Sequence, residues 1–147
     1  SILEDAKNTG SKILLPIDLI CADSLKDKKN IRENDINEIN SNQMALDIGS
    51  KTIKEIILYI TKSKLVLWNG PLGAFEYQPF HRSSLEIAKA IKINKKSGIL
   101  SIAGGGDTIA AIKMANSQDG FTYISKAGGA FLEWLEGGGS PGVDALK

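Results

Sequence analysis

The sequence predicts an α/β fold, with a parallel sheet and helices on both faces in three layers. Three observations carry the prediction. Short aliphatic and β-branched runs recur, at 65–68, 99–102 and 121–124. Segments with apolar residues at helical spacing lie between them, as with Ile53, Ile56, Ile57 and Ile60. Glycine-rich corners follow two of the runs, at Gly104-Gly105-Gly106 and Gly128-Gly129. At 147 residues the chain fits one domain and can bury a core.

In chain order, residues 1–9 have the pattern of a helix stopped by Gly10. Residues 12–15 and 17–22 predict a strand broken by Pro16 and flanked by Asp18 and Asp23. Residues 24–42 are rich in Lys, Asn, Asp and Glu, a surface excursion with room for a short hairpin. Residues 43–47 lead to Ile48 and Gly49, and Ser50 is placed to cap a helix over 51–62. After the strand at 65–68, the turn Asn69-Gly70-Pro71-Leu72-Gly73 holds three backbone-special residues in five positions. A loop continues to Phe80, and a helix follows over 83–93 with Leu85, Ala88 and Ile91 inward. Beyond the last strand, Ser125 opens a second strand-to-helix corner. A short helix over 131–135 ends at Gly137, followed by a glycine-rich stretch and a tail over 143–147.

The stretch 101–111 holds the strongest local signal. A buried-type strand runs into three glycines, and Asp107-Thr108 opens a helix bearing Ile109, Ala110, Ile112 and Met114. Such a corner presents free backbone N–H groups and the positive end of a helix dipole. Glycine lets an anion approach that backbone closely, so the corner suits a phosphate. It is not a Walker A loop, because no Gly-Lys-Ser/Thr closes it. The plain alternative is a glycine turn with Asp107 as a helix cap. A carboxylate beside a phosphate needs a cation between them, which favours a Mg-nucleotide over a bare anion. In parallel sheets ligands bind at the carboxyl ends of the strands, so the turns at Asn69, Gly104 and Ser125 should share one edge.

Eighteen basic and seventeen acidic residues leave almost no net charge, which argues against nucleic acid or an anionic membrane as partner. No apolar run is long enough to span a bilayer, and residue 1 begins no signal-peptide pattern. The lone Cys21 lies in an apolar run and reads as a buried structural thiol, consistent with a reducing, cytoplasmic setting. His81, the single histidine, reads as a loop residue, and Trp68 as part of the core.

Several motifs together resemble phosphoglycerate kinase, in its C-terminal nucleotide-binding domain. They are Leu14-Leu15-Pro16-Ile17-Asp18 with Ala22-Asp23, Leu46-Asp47-Ile48-Gly49, and the run from Trp68 to Glu76. Gly104 to Thr108, Gly128-Gly129-Ala130 with Leu132-Glu133, and Pro141 to Leu146 continue in family order. The resemblance covers the chain except the polar excursion. It implies a Rossmann-like, doubly wound domain, incomplete at its N-terminal strands, as the whole of residues 1–147. It also implies Mg-ATP or Mg-ADP as ligand, with Ala45 and Leu46 lining the adenine slot. Asn69 and Pro71 would border the nucleotide, and Glu76 would bind the ribose hydroxyls. Asp107 would hold the magnesium, and Thr108 would sit at the terminal phosphate. Gly105, Gly106, Gly128 and Gly129 would form the catalytic set facing the transferring phosphoryl group.

The chain departs from the family pattern at Lys126 and Ala127, at Ala45, at Ser83-Ser84 and at Gly137. The 3-phosphoglycerate domain, two strands of the nucleotide domain and its nucleotide-contacting lysines are expected to be missing from these residues. The four predicted strands would then leave a gap between Leu14 and Val66. The chain would repack, self-associate or take up the missing segment. Two other readings compete: a non-catalytic remnant or interaction module, and a dinucleotide-dependent oxidoreductase. The second is weak, because the last glycine of that fingerprint is not in place.

Overall fold

In the computed structural model, which describes residues 1–27, 29–126 and 137, the strands form two three-stranded sheets. In the first, β1 (Asp18–Ala22) lies between β2 (Arg32–Asp35) and β3 (Met44–Ile48), antiparallel to both. The register pairs Asp18 with Asp35 on one side and Leu19 with Ile48 on the other. The excursion after Ser24 therefore contains the return strand of a hairpin. Its strand is polar and half-exposed, as suits a sheet edge.

This sheet corrects one expectation and adds a strand. Residues 12–15 are not a strand, since none of the described residues pairs with them and Ile13 and Leu15 stay exposed. Lys12 instead lies over the Tyr59 ring, 4.6 Å from its centroid, and reaches Glu55. β3 is a strand that the periodicity does not announce. Met, Ala and Leu favour helix, but pairing with β1 supplies what local propensity lacks.

The second sheet is parallel, in the order β4 (Leu65–Asn69), β5 (Leu100–Gly104) and β6 (Tyr123–Ser125). α3 (Arg82–Asn94) and α4 (Gly106–Met114) make the two crossovers, and α2 (Ser50–Lys62) packs on α3. Ile60, Trp68, Ile87, Ile91, Ala103, Ile112 and Phe121 form the core between helices and sheet. Sequential parallel strands with right-handed crossovers put both connecting helices on the same face. Accordingly, Leu65, Leu67, Leu100 and Tyr123 on the other face are exposed among the described residues. α1 (Ile2–Thr9) buries none of its residues and ends at Gly10 in the left-handed conformation, φ 73°.

Two buried carboxylates open the central helices. Asp18 Oδ2 accepts the Lys51 amide and Oδ1 the Thr52 amide, both at 2.8 Å, in the first turn of α2. Gly49, not Ser50, holds the cap position, and the Ser50 hydroxyl pairs with Glu33 instead. A Cβ on Gly49 would overlap the Asp18 carboxyl, so glycine is required for that close approach. Asp47 Oδ2 accepts the Ser83 amide at 3.1 Å in the first turn of α3. Both carboxylates lie where the helix dipole favours negative charge. Asp47 thereby ties the antiparallel sheet to a helix of the parallel one.

Candidate functional site at the strand ends

Asn69, Gly104 and Ser125 occupy successive positions across the parallel sheet, each at the carboxyl end of its strand. The three turns thus share one edge, as the sequence predicts. The corner after Gly104 is built as expected. Gly105 takes φ 93° and ψ 141°, a conformation that favours glycine, and stands at the cap of α4. The first α-helical bond there runs from the Ile109 amide to the Gly105 carbonyl. The amides of Gly106, Asp107 and Thr108 therefore have no partner within the helix. A Cβ on Gly106 would meet open space, so this helix end is accessible.

Asp107 is not the cap; Gly105 holds that position because its positive φ makes the turn. Asp107 sits in the exposed first turn, and its carboxylate bonds to no side chain among the described residues. These residues contain no cluster of three His, Cys, Asp or Glu side chains able to hold a metal. A single free carboxylate beside unpaired amides does fit a magnesium ion carried on a phosphate. Mg²⁺ keeps several waters and takes one or two carboxylates plus phosphate oxygens. Thr108 is fully buried, and its Oγ1 accepts the Gly70 amide at 2.7 Å. Its hydroxyl thus joins two of the turns.

The loop after β4 is fixed at successive points. Trp68 Nε1 donates to the Gly70 carbonyl at 2.6 Å. Ser84 Oγ accepts the Leu72 amide and donates to the Leu72 carbonyl, both at 2.8 Å. The Ala74 amide donates to the Leu46 carbonyl of β3 at 2.7 Å. An open apolar pocket of about 250 Å³ lies at this last junction. It is lined by Leu19, Ala45, Leu46, Asp47, Ile48, Gly73 and Ala74. Ala45 and Leu46, predicted to flank a base, form one wall, and the loop forms the other. Asn69 and Glu76 are exposed on the loop and Pro71 is half-buried. Gly128 and Gly129 lie outside the described residues, as do Ala127, the predicted helix over 131–135 and the tail.

Other expectations are met or refined. Cys21 and Trp68 are buried, and the Trp68 ring lies 6.1 Å from that of Phe121. His81 stands just before α3, with Nδ1 buried and without a partner among the described residues. Lys126 is exposed. No helix among the described residues is long and apolar enough to cross a membrane. Sequence reasoning gave no role to Asp47 or Ser84. The available signal for Asp47 was a carboxylate between Leu46 and Ile48, apolar neighbours that forecast burial.

Fold and site together define an α/β protein whose parallel strands end in a glycine turn and an exposed helix N-terminus. Comparison with known proteins supplies the family. A family model described as phosphoglycerate kinase matches residues 1–138. Phosphoglycerate kinase of Rhizobium meliloti is 45% identical over the whole chain, which covers 37% of that relative. The Granulibacter bethesdensis enzyme is 43% identical over the same shares. Among solved structures, phosphoglycerate kinase from Coxiella burnetii matches with a TM-score of 0.85 and 37% identity, over 92% of this chain and 34% of that one. The Pyrococcus horikoshii structure matches with a TM-score of 0.73 and 30% identity, over 98% and 36%. The chain belongs to the phosphoglycerate kinase family. It spans 37% of the length of these curated relatives.

Proposed function

We propose that residues 1–147 are the C-terminal, nucleotide-binding part of a phosphoglycerate kinase-type phosphotransferase. The reaction of the whole enzyme would be 1,3-bisphosphoglycerate with ADP to 3-phosphoglycerate with ATP. The acid substrate would bind on a domain that these residues do not include. The observation that carries this reading is the double attachment of one loop. Residues 69–76 bond to α4 beside the glycine corner through Gly70 and to the wall of the apolar pocket through Ala74. A base pocket and an anion-binding helix end joined by a loop suit one ligand that is flat and apolar at one end and anionic at the other.

In this reading the adenine lies against Ala45 and Leu46, with Asn69 and Pro71 bordering the nucleotide. Glu76 accepts hydrogen bonds from the ribose hydroxyls, a task for which a carboxylate has two acceptor oxygens. The amides of Gly105 and Gly106, with those of Gly128 and Gly129, donate to the phosphate oxygens. Asp107 holds magnesium, which when bound offsets the negative charge of the phosphates. These residues contribute positioning and electrostatic stabilisation, with no covalent enzyme intermediate.

Calorimetric titration of the purified chain with Mg-ADP tests the proposal. Single-site binding that weakens about tenfold or more in Asp107→Ala and in Glu76→Ala supports it. An intact fold that takes up no Mg-ADP refutes it in favour of the second reading, a non-catalytic remnant. That reading draws on Ala45 and Ala127, which stand where the family pattern has glycine.

A further inference from the structure

Asp47 combines burial, charge and saturation. It is 4% exposed and belongs to the lining of the pocket between β3 and the loop after β4. Oδ1 accepts the Ile48 amide at 2.9 Å and the Ser83 hydroxyl, and Oδ2 accepts the Ser83 amide at 3.1 Å. With three donors on two oxygens and almost no exposed surface, it has little capacity left for a ligand. Its contact with the loop is steric. Gly73 has φ 70°, and a Cβ there would overlap Asp47 Oδ1 and the Phe80 carbonyl. The loop backbone therefore lies directly on the carboxyl group. Ser83 and Ser84 are adjacent, so the first turn of α3 holds Asp47 with one residue and Leu72 with the next.

On the reading that the pocket takes the base of a nucleotide, we infer that Asp47 is a positioning residue for the nucleoside half of the ligand. Its bonds to Ser83 set the spacing between the Ala45–Leu46 wall and the Gly73–Ala74 wall. The phosphate half depends on a different set of contacts, those of Gly70, Thr108 and the first turn of α4. Replacing one of the Asp47 acceptor oxygens with an amide nitrogen should therefore loosen the pocket and leave the glycine corner as it is.

The test uses the full chain and two separate probes, adenosine for the pocket and Mg-pyrophosphate for the corner. Asp47→Asn should weaken adenosine and Mg-ADP about tenfold and leave Mg-pyrophosphate within twofold of the wild type. Ser83→Ala removes one of the three bonds and should shift adenosine the same way by a smaller factor, even if Asp47→Asn does not fold. Equal losses for both probes, or unchanged adenosine affinity in a folded variant, overturn the inference. Wild-type chain that binds neither probe instead removes the nucleotide reading itself, and the inference with it.

Discussion

The Gly70 amide and Thr108 Oγ1 lie 2.7 Å apart, joining the turn after β4 to the first turn of α4. Those residues are 38 positions apart in sequence. The bond fixes one strand-end turn against the next, so the edge is held by side chains as well as by strand pairing. Removing this acceptor while keeping the volume should therefore be costly. Thr108→Val leaves a partly buried amide unpaired, and urea unfolding should register a loss of about 1–2 kcal/mol. Thr108→Ser keeps the oxygen and should recover most of that loss, apart from the small cavity left by the methyl group. A loss in Thr108→Val that is negligible, or smaller than that in Thr108→Ser, would show that the bond contributes little here.

Asp18 should stabilise the fold most at neutral pH. Burial alone would raise its carboxyl, but the hydrogen bonds from Thr52 and Lys51 outweigh it and hold the group below its ordinary 3.8. A depressed carboxylate contributes fully above its unfolded value and loses that contribution as pH falls through the folded value. Asp18→Asn is expected to cost about 1–3 kcal/mol at pH 7, with the gap to wild type closing below about pH 4. Denaturant unfolding across pH 3–7 checks it, and a pH-independent gap would count against the assignment.

Asp47 should show the opposite slope. Burial is the largest influence on it and raises its carboxyl above 3.8, against the lowering effect of Ser83, Ile48 and the nearby His81. A raised carboxyl contributes most below its unfolded value and loses that contribution as pH rises through the folded value. Wild type should therefore gain stability relative to Asp47→Asn as pH falls from neutrality towards 3.8. The same unfolding series measures this, and a gain on raising the pH would contradict it.

Leu65, Leu67, Leu100 and Tyr123 form an apolar face on the parallel sheet, and β4 is one of its two edges among the described residues. Strands of this kind pair with other chains unless charge or cover prevents it. The weight-average mass in sedimentation should therefore rise with concentration for the wild type. Leu67→Lys, which puts a charge on the edge strand, should hold the mass near that of one chain. A wild type that stays monomeric throughout the range would show the face to be tolerated.

Where the legible parts end has a physical logic. β4, β5 and β6 announce themselves because each lies in a short run rich in aliphatic, aromatic and β-branched residues, which suits a strand packed under helices. The corner at Gly104 to Gly106 does so because Gly105 takes a positive φ that residues with a Cβ rarely adopt. β2 and β3 do not, since a polar edge strand and a Met-Ala-Leu segment become strands only beside β1. The residues 12–15 show the reverse case, strand propensity without a neighbour to pair with among the described residues.

Local chemistry alone thus determined the α/β class, the glycine corner and the family motifs. Each depends on residues within one turn or strand of each other, where the backbone and side-chain preferences act directly. The tertiary structure decided that β1 joins an antiparallel sheet and that Asp18 and Asp47 open α2 and α3. It also decided that one loop spans the pocket and the helix end. Those outcomes depend on which distant groups become neighbours when water is removed, and a buried carboxylate is stable only where distant amides and hydroxyls converge on it.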